Sequence, residues 1–276
     1  MEKGGYEDPK RVASKRVASG LAALVAYVPL VAFLAVFFYV PLAWLFYVSI
    51  LDQSTGSISL SNYVEIFASP GYFRVFASSL ILALETVLAS LLVAFPAAYY
   101  LAFGARGSEK PLLLAGLLVP FWVDFLLRAV AFKSILYLMG LREGYLATVI
   151  AMVYEYIPFM LLPLYASLST IDYNIVEAAR TLGASRATLI ARIILPLSLP
   201  GILVGTLLVS LMSLTEYIVP SLLGGAQVFT LGMMIYSLFL EGGLWGLGAA
   251  LSVIIVAASM VIAFYASRWL VSRSAG

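Results

Sequence analysis

Glu85, Asp124, Glu155 and Glu216 stand inside long apolar runs of this 276-residue chain. A charged side chain at the centre of a bilayer costs about 2.5–3.5 kcal/mol on insertion scales, so such residues face a protein interior or a water-filled path. Carboxylates so placed can hold a passing cation, relay protons, or act as structural counter-charges. Glu155 and Glu216 have a further resource. Pro158 lacks the amide that would bond the carbonyl of Tyr154, and Pro220 likewise frees the carbonyl of Glu216. A spare backbone acceptor beside an acid is the composition of cation sites in broken membrane helices. Tyr154, Tyr156, Phe159 and Tyr217 add ring faces for stacking or cation–π contact with an ammonium group. The same rings serve equally as packing or interface anchors. Asp124 stands four positions before Arg128, the spacing of a structural ion pair. Glu85 reads either as a pathway acid or as a protonated or interfacial one. Glu155, Glu216, Tyr217, Tyr154 and Glu85 are thus the candidates for a substrate pathway.

Other chemistry is excluded by composition. The chain has no histidine and no cysteine, which removes thiol chemistry, disulfides and His or Cys metal sites. No G-x-x-x-x-G-K-[ST] phosphate loop occurs, since glycine is nowhere followed by lysine. Work driven by ATP would therefore need a separate hydrolysing subunit, and neither enzymatic activity nor a cofactor of its own is expected. The chain is 63% hydrophobic and 11% charged, with mean hydropathy +1.05. Soluble domains average about a quarter charged residues, so this is a polytopic membrane protein with no nucleic-acid partner expected.

The acids need helices to position them, and the apolar runs supply six. Residues 1–19 form a polar N-terminal segment, residues 20–270 a transmembrane domain, and residues 271–276 a tail. The spans are expected at about 21–50, 77–103, 112–131, 145–168, 201–223 and 244–270. Pro29 and Pro41 should kink the first span or mark its ends. Residues 60–67 suit a short amphipathic helix at the surface, and 231–240 a re-entrant or interfacial piece. Gly201 and Gly205 form a G-x-x-x-G that permits close helix contact.

An even number of spans places both termini on one side, and the cations decide which. The face holding the termini, 104–111 and 169–198 carries Lys3, Lys10, Arg11, Lys15, Arg16, Arg106, Lys110, Arg180, Arg186, Arg192, Arg268 and Arg273. The other face has Arg74, Arg128, Lys133 and Arg142. The positive-inside rule puts both termini and the 169–198 loop in the cytoplasm.

That loop is the polar interruption in an otherwise apolar chain, and it reads as two short helices joined at a glycine. Asp172 is placed to cap the first helix, and Gly183 to end it in a left-handed conformation. Ser185 is placed to cap the second, which runs apolar through Leu189, Ile190, Ile193 and Ile194 until Pro196 and Pro200 disturb it. Ala178 and Ala179 leave one side of the first helix flat enough for another protein to approach closely.

The loop resembles the EAA loop of permease subunits in binding-protein-dependent ABC importers. Glu177, Ala178, Ala179, Gly183, Ile193, Leu195 and Pro196 fill that pattern at its spacing. The resemblance implies the six-helix type I importer permease fold, with this loop as a coupling helix seated in a groove of the ATP-hydrolysing subunit. Arg180 and Arg186 would add ionic contacts to that partner. Residues 60–63, 120–122 with Arg128, 158–163 and 220–225 are similar to the spermidine/putrescine permeases. Membership there implies ATP-binding cassette subunits, a second and different permease subunit, an extracellular solute-binding protein and a polyamine substrate. Molybdate, sulfate, ferric iron, thiamine and phosphonate permeases share parts of these motifs and stay open as alternatives. A self-sufficient ion-coupled transporter or channel, using the acids as relays, is the competing class.

Overall fold

The computed structural model describes residues 27–53 and 55–274, with side chains described as far as residue 268. The N-terminal segment 1–19, the start of the first span, the last two tail residues and the side chain of Arg273 lie outside the described residues.

Four continuous helices are long and apolar enough to cross a membrane: α1 (Tyr27–Ser49), α3 (Pro70–Gly104), α6 (Tyr145–Ser169) and α12 (Trp245–Ser274). Helices dominate because hydrocarbon offers no partner to a backbone N–H or C=O, so each group must be bonded within its own segment. Prolines inside them are absorbed in two ways. α6 runs unbroken through Pro158 and Pro163. In α1 a widened π-type turn at Ala35–Tyr39 lies just before Pro41. Such a turn gives room where a proline ring would meet the carbonyl four residues back. α12 continues to Ser274, past the expected end of the last span.

Two further crossings are bent pairs, and counting each pair as one crossing brings the number to six. α4 (Glu109–Trp122) and α5 (Phe125–Leu138) meet at 102°. The third apolar run, expected as one span over 112–131, is therefore broken in its middle. Asp124 is the cause: its carboxylate accepts the amides of Leu126 and Leu127 at 3.0 and 3.2 Å, which starts a new helix there. α8 (Arg186–Leu197) and α9 (Leu199–Leu214) meet at 68°. The fifth run, expected unbroken over 201–223, stops at Leu214 and resumes as α10 (Ile218–Leu223).

Between the crossings lie α2 (Ser61–Ala68), α7 (Tyr173–Thr181) in the 169–198 loop, and α11 (Leu231–Glu241). α2 is the expected amphipathic surface helix. It is tied down by Asn62, whose buried amide donates to the carbonyls of Ser49 and Leu51. Among the described residues there is no strand, only an isolated bridge between Leu51 and Ile58.

α6 is the centre of the bundle, packed on α3 and α9, with Met152, Met160, Leu161, Leu164 and Leu168 fully buried along it. Gly201 and Gly205 set the α9 contact. A Cβ at Gly201 would stand 2.5 Å from the carbonyl oxygen of Pro163, and one at Gly205 would stand 2.7 Å from the sulfur of Met160. The G-x-x-x-G spacing thus works as a close-contact stripe. α1 contributes little to this core and packs chiefly against α12 through its second half.

Candidate functional site

The 169–198 loop is closed by its own residues. The Asp172 carboxylate accepts the Asn174 amide at 3.0 Å and caps α7. α7 ends in a paired-bond turn: Gly183 N–H donates to the Arg180 carbonyl at 2.9 Å and Ala184 N–H to the Ala179 carbonyl at 3.0 Å. Gly183 sits at φ +84, the left-handed value this turn requires. The Ser185 hydroxyl then accepts the Thr188 amide at 3.1 Å and caps α8.

The two short helices are anchored by three buried side chains, Val176, Leu189 and Ile194, with Ala179 and Ile193 half-buried beside them. Everything else that the spacing singled out faces outward: Glu177, Ala178, Arg180, Gly183, Arg186, Leu195 and Pro196 are exposed. So is Leu182, whose side chain is 88% exposed at the tip of the loop and which the sequence had not singled out. Arg180 and Arg186 flank a cleft completed by Tyr99, Leu189 and Ile190. The pair of locally closed helices thus presents an apolar tip, a flat alanine edge and two exposed cations.

The second constellation lies within the bundle, where the α4–α5 and α9–α10 breaks meet α6. Arg128, in the first turns of α5, places one guanidinium nitrogen 2.9 Å from the carboxylate of Glu155 on α6. The pair is deeply buried, with exposures of 8% and 1%. The guanidinium also lies over the Phe121 ring at 4.2 Å and near the Phe125 ring at 5.7 Å. At the next position of α6, the Tyr156 hydroxyl donates to the Glu216 carboxylate. The other oxygen of Glu216 accepts the amides of Ile218 and Val219 at 2.7 and 3.1 Å, so this acid caps α10. Consecutive residues of one unbroken helix therefore hold the broken ends of two others.

These contacts correct two expectations. Asp124 and Arg128 do not pair: the carboxylate turns back to cap α5, and the cation reaches across to α6. The carbonyl of Glu216, expected as a spare acceptor, is taken by the Thr230 hydroxyl at 2.8 Å. That same threonine caps α11 through the Met233 amide.

The remaining pathway candidates lie around this cluster or apart from it. Tyr217, half-buried, stacks on Tyr236 of α11 with ring centroids 4.4 Å apart. Tyr154, also half-buried, stacks on Phe132 of α5 at 4.4 Å. Glu85 is separate: it is half-buried on α3 beside Tyr145, the first residue of α6. Phe121, Thr230 and Tyr236 were missed in the sequence. The prolines Pro120 and Pro220, each near a break, were the available signal. No group of three or more acidic side chains suited to a metal ion occurs among the described residues.

The helix count, the bent crossings and the outward-facing loop agree with the fold that the resemblance implies. A family model for binding-protein-dependent transport system inner membrane components matches residues 10–275, and the chain belongs to that family. It is a membrane-spanning permease subunit of an ABC importer. Its relatives include the spermidine/putrescine transport system permease protein PotB of Escherichia coli K12, 35% identical with 88% of this chain and 97% of that protein covered. The corresponding protein of Haemophilus influenzae is 33% identical, with 78% and 82% covered. Among solved structures, a bacterial ABC transporter that imports the acidic polysaccharide alginate superposes with a TM-score of 0.72 at 18% identity, over 94% of this chain and 98% of that one. The MetNI methionine transporter gives 0.57 at 17%, over 72% and 94%. At these identities the structures speak for the fold.

Proposed function

We propose that this subunit forms half of the passage of a polyamine importer, taking spermidine or putrescine from an extracellular binding protein. The observation that carries this is the 35% identity to PotB across nearly the whole of both chains. The chemistry of the passage supports it, since the bundle brings carboxylates and aromatic faces together at its helix breaks. The passage closes between this chain and a second permease subunit, while ATP is hydrolysed on separate cassette subunits. Both termini and the 169–198 loop face the cytoplasm, and the loop passes the cassette movement to α6 and α9 through Val176, Leu189 and Ile194. Glu177, Ala178, Ala179, Arg180, Gly183, Arg186, Ile193, Leu195 and Pro196 form its coupling surface.

The test is uptake by proteoliposomes holding the assembled transporter and its own binding protein. Radiolabelled spermidine or putrescine should enter only when ATP and binding protein are both supplied. Uptake of molybdate, thiamine or a phosphonate in place of polyamine would replace the substrate and leave the architecture standing.

A further inference from the structure

We propose that Glu155 and Phe121 form a cation subsite within the bundle, filled in this structure by Arg128 and taken over in transit by an ammonium group of the substrate. The proposal rests on the polyamine reading and names one of its pathway sites. A carboxylate opposed by an aromatic face is the composition that recognises an organic ammonium ion. Here that composition is complete, and its occupant is the chain's own guanidinium, 2.9 Å from Glu155 and 4.2 Å from the Phe121 ring.

The fit of that occupant is poor for a permanent ion pair. A buried pair persists when its geometry is excellent and its remaining donors and lone pairs are satisfied. Arg128 reaches Glu155 through one nitrogen instead of the two-pronged fork available to it. Its Nε and Nη1 are buried and have no hydrogen-bond partner, and neither oxygen of Glu155 has one, so the 2.9 Å approach is an ion pair without hydrogen-bond geometry. The nearby carboxylates are already committed: Glu216 to the α10 amides and Tyr156, and Asp124 to the α5 amides. Of the three, Glu155 is the one whose oxygens are buried and without a hydrogen-bond partner.

The backbone supplies a way to vacate the site. Phe121 lies before the break at Val123 and Asp124, and Arg128 lies after it. A change in the 102° bend between α4 and α5 would draw the guanidinium from the ring and from Glu155 together. One cation leaves as another arrives, so the buried carboxylate keeps a counter-charge throughout, and the high cost of an unpaired one is avoided. The site would exclude anions and neutral solutes, which cannot replace Arg128.

The test uses the assembled transporter in proteoliposomes and the double substitution Arg128→Gln with Glu155→Gln, which removes both charges and keeps polar groups of similar size. The subsite predicts a double variant that still co-purifies with the ATPase but takes up spermidine about tenfold more slowly, because the carboxylate is gone. A purely structural pair predicts either wild-type uptake from the double variant or a slowing matched by a lowered thermal midpoint, and either result would overturn the proposal. The single Arg128→Gln variant leaves Glu155 open, and spermidine should then stimulate ATP hydrolysis without binding protein. Should that variant fail to assemble, the double variant decides alone. Polyamine uptake by wild type that is unchanged in the double variant sinks the subsite and spares the reading beneath it. A wild type that moves another solute and no polyamine sinks both.

Discussion

In the 169–198 loop, Asp172, Gly183 and Ser185 close the helix ends with bonds that span no more than five residues along the chain. In the cluster within the bundle the caps are just as local, but each is also tied to α6. Glu216 is held by Tyr156, and Arg128, one turn past the Asp124 cap, is held by Glu155. The loop is therefore closed within itself and rests on the bundle through Val176, Leu189 and Ile194. The cluster is a junction, where altering one group loosens several elements. Changes in the loop should alter transport and spare the bundle, whereas changes in the cluster should alter both.

The largest effect on stability is expected from Glu216→Ala. It leaves the Tyr156 hydroxyl and the amides of Ile218 and Val219 without an acceptor. A buried donor stranded in this way costs about 1–3 kcal/mol. Hydrogen bonds between membrane helices fall lower, at about 0.6 kcal/mol on average. Together these give a loss of about 2–4 kcal/mol, read as a lower thermal midpoint of the detergent-solubilised subunit. Glu216→Gln retains an oxygen for the amides and should lose less than half as much. Equal midpoints for the Ala variant and wild type would mean that the junction carries no stability and that the contrast with the loop is false.

The same contrast explains what could be read from the sequence. The loop was legible residue by residue, because an Asp or Ser cap and a left-handed glycine are decided by neighbours three or four positions away. Gly201 and Gly205 were legible as a stripe, though their partner helix was not. Arg128 was misassigned to Asp124 because spacing shows only what lies on the same helix, and its actual partner is on another. The breaks had a local sign that was passed over. Pro220 stands in the first turn of α10, where amides need no intrahelical acceptor, so it marks a helix start as readily as a kink. The acid before it, Glu216, is then a cap. Stacks such as Tyr217 on Tyr236 depend on how α11 folds back into the bundle, which no periodicity encodes.

Gly183→Val should have the next largest effect, and on transport instead of stability. No atom lies within 4 Å of a Cβ built at Gly183, so the substitution meets no clash. Its whole cost is backbone: a β-branched residue at φ +84 is strained by about 1–3 kcal/mol, enough to displace α7 from α8 without unfolding the bundle. The variant should insert and keep a thermal midpoint close to wild type, while binding-protein-dependent uptake and co-purification of the ATPase both fall. Normal values for uptake and co-purification would show that this turn does not position the docking surface.

Asp172→Ala probes the other end of α7 and should have the smallest effect. The carboxylate is exposed and accepts one amide, that of Asn174, at 3.0 Å. Loss of such a cap costs about 1 kcal/mol, and asparagine caps almost as well as aspartate. The damage should stay in the first turn, because Val176, buried in the core, holds the helix immediately after it. Glu177, Ala178, Ala179 and Arg180 lie beyond that anchor and should keep their places. Amide exchange at Asn174 and Ile175 should accelerate about fivefold, the factor that 1 kcal/mol represents. Uptake should stay within about twofold of wild type, since the exposed coupling face is undisturbed. Asp172→Asn should match wild type in both measurements. If Asp172→Ala instead abolished uptake as Gly183→Val is expected to do, the loop would be set from its entry into α7, and the glycine turn would only follow.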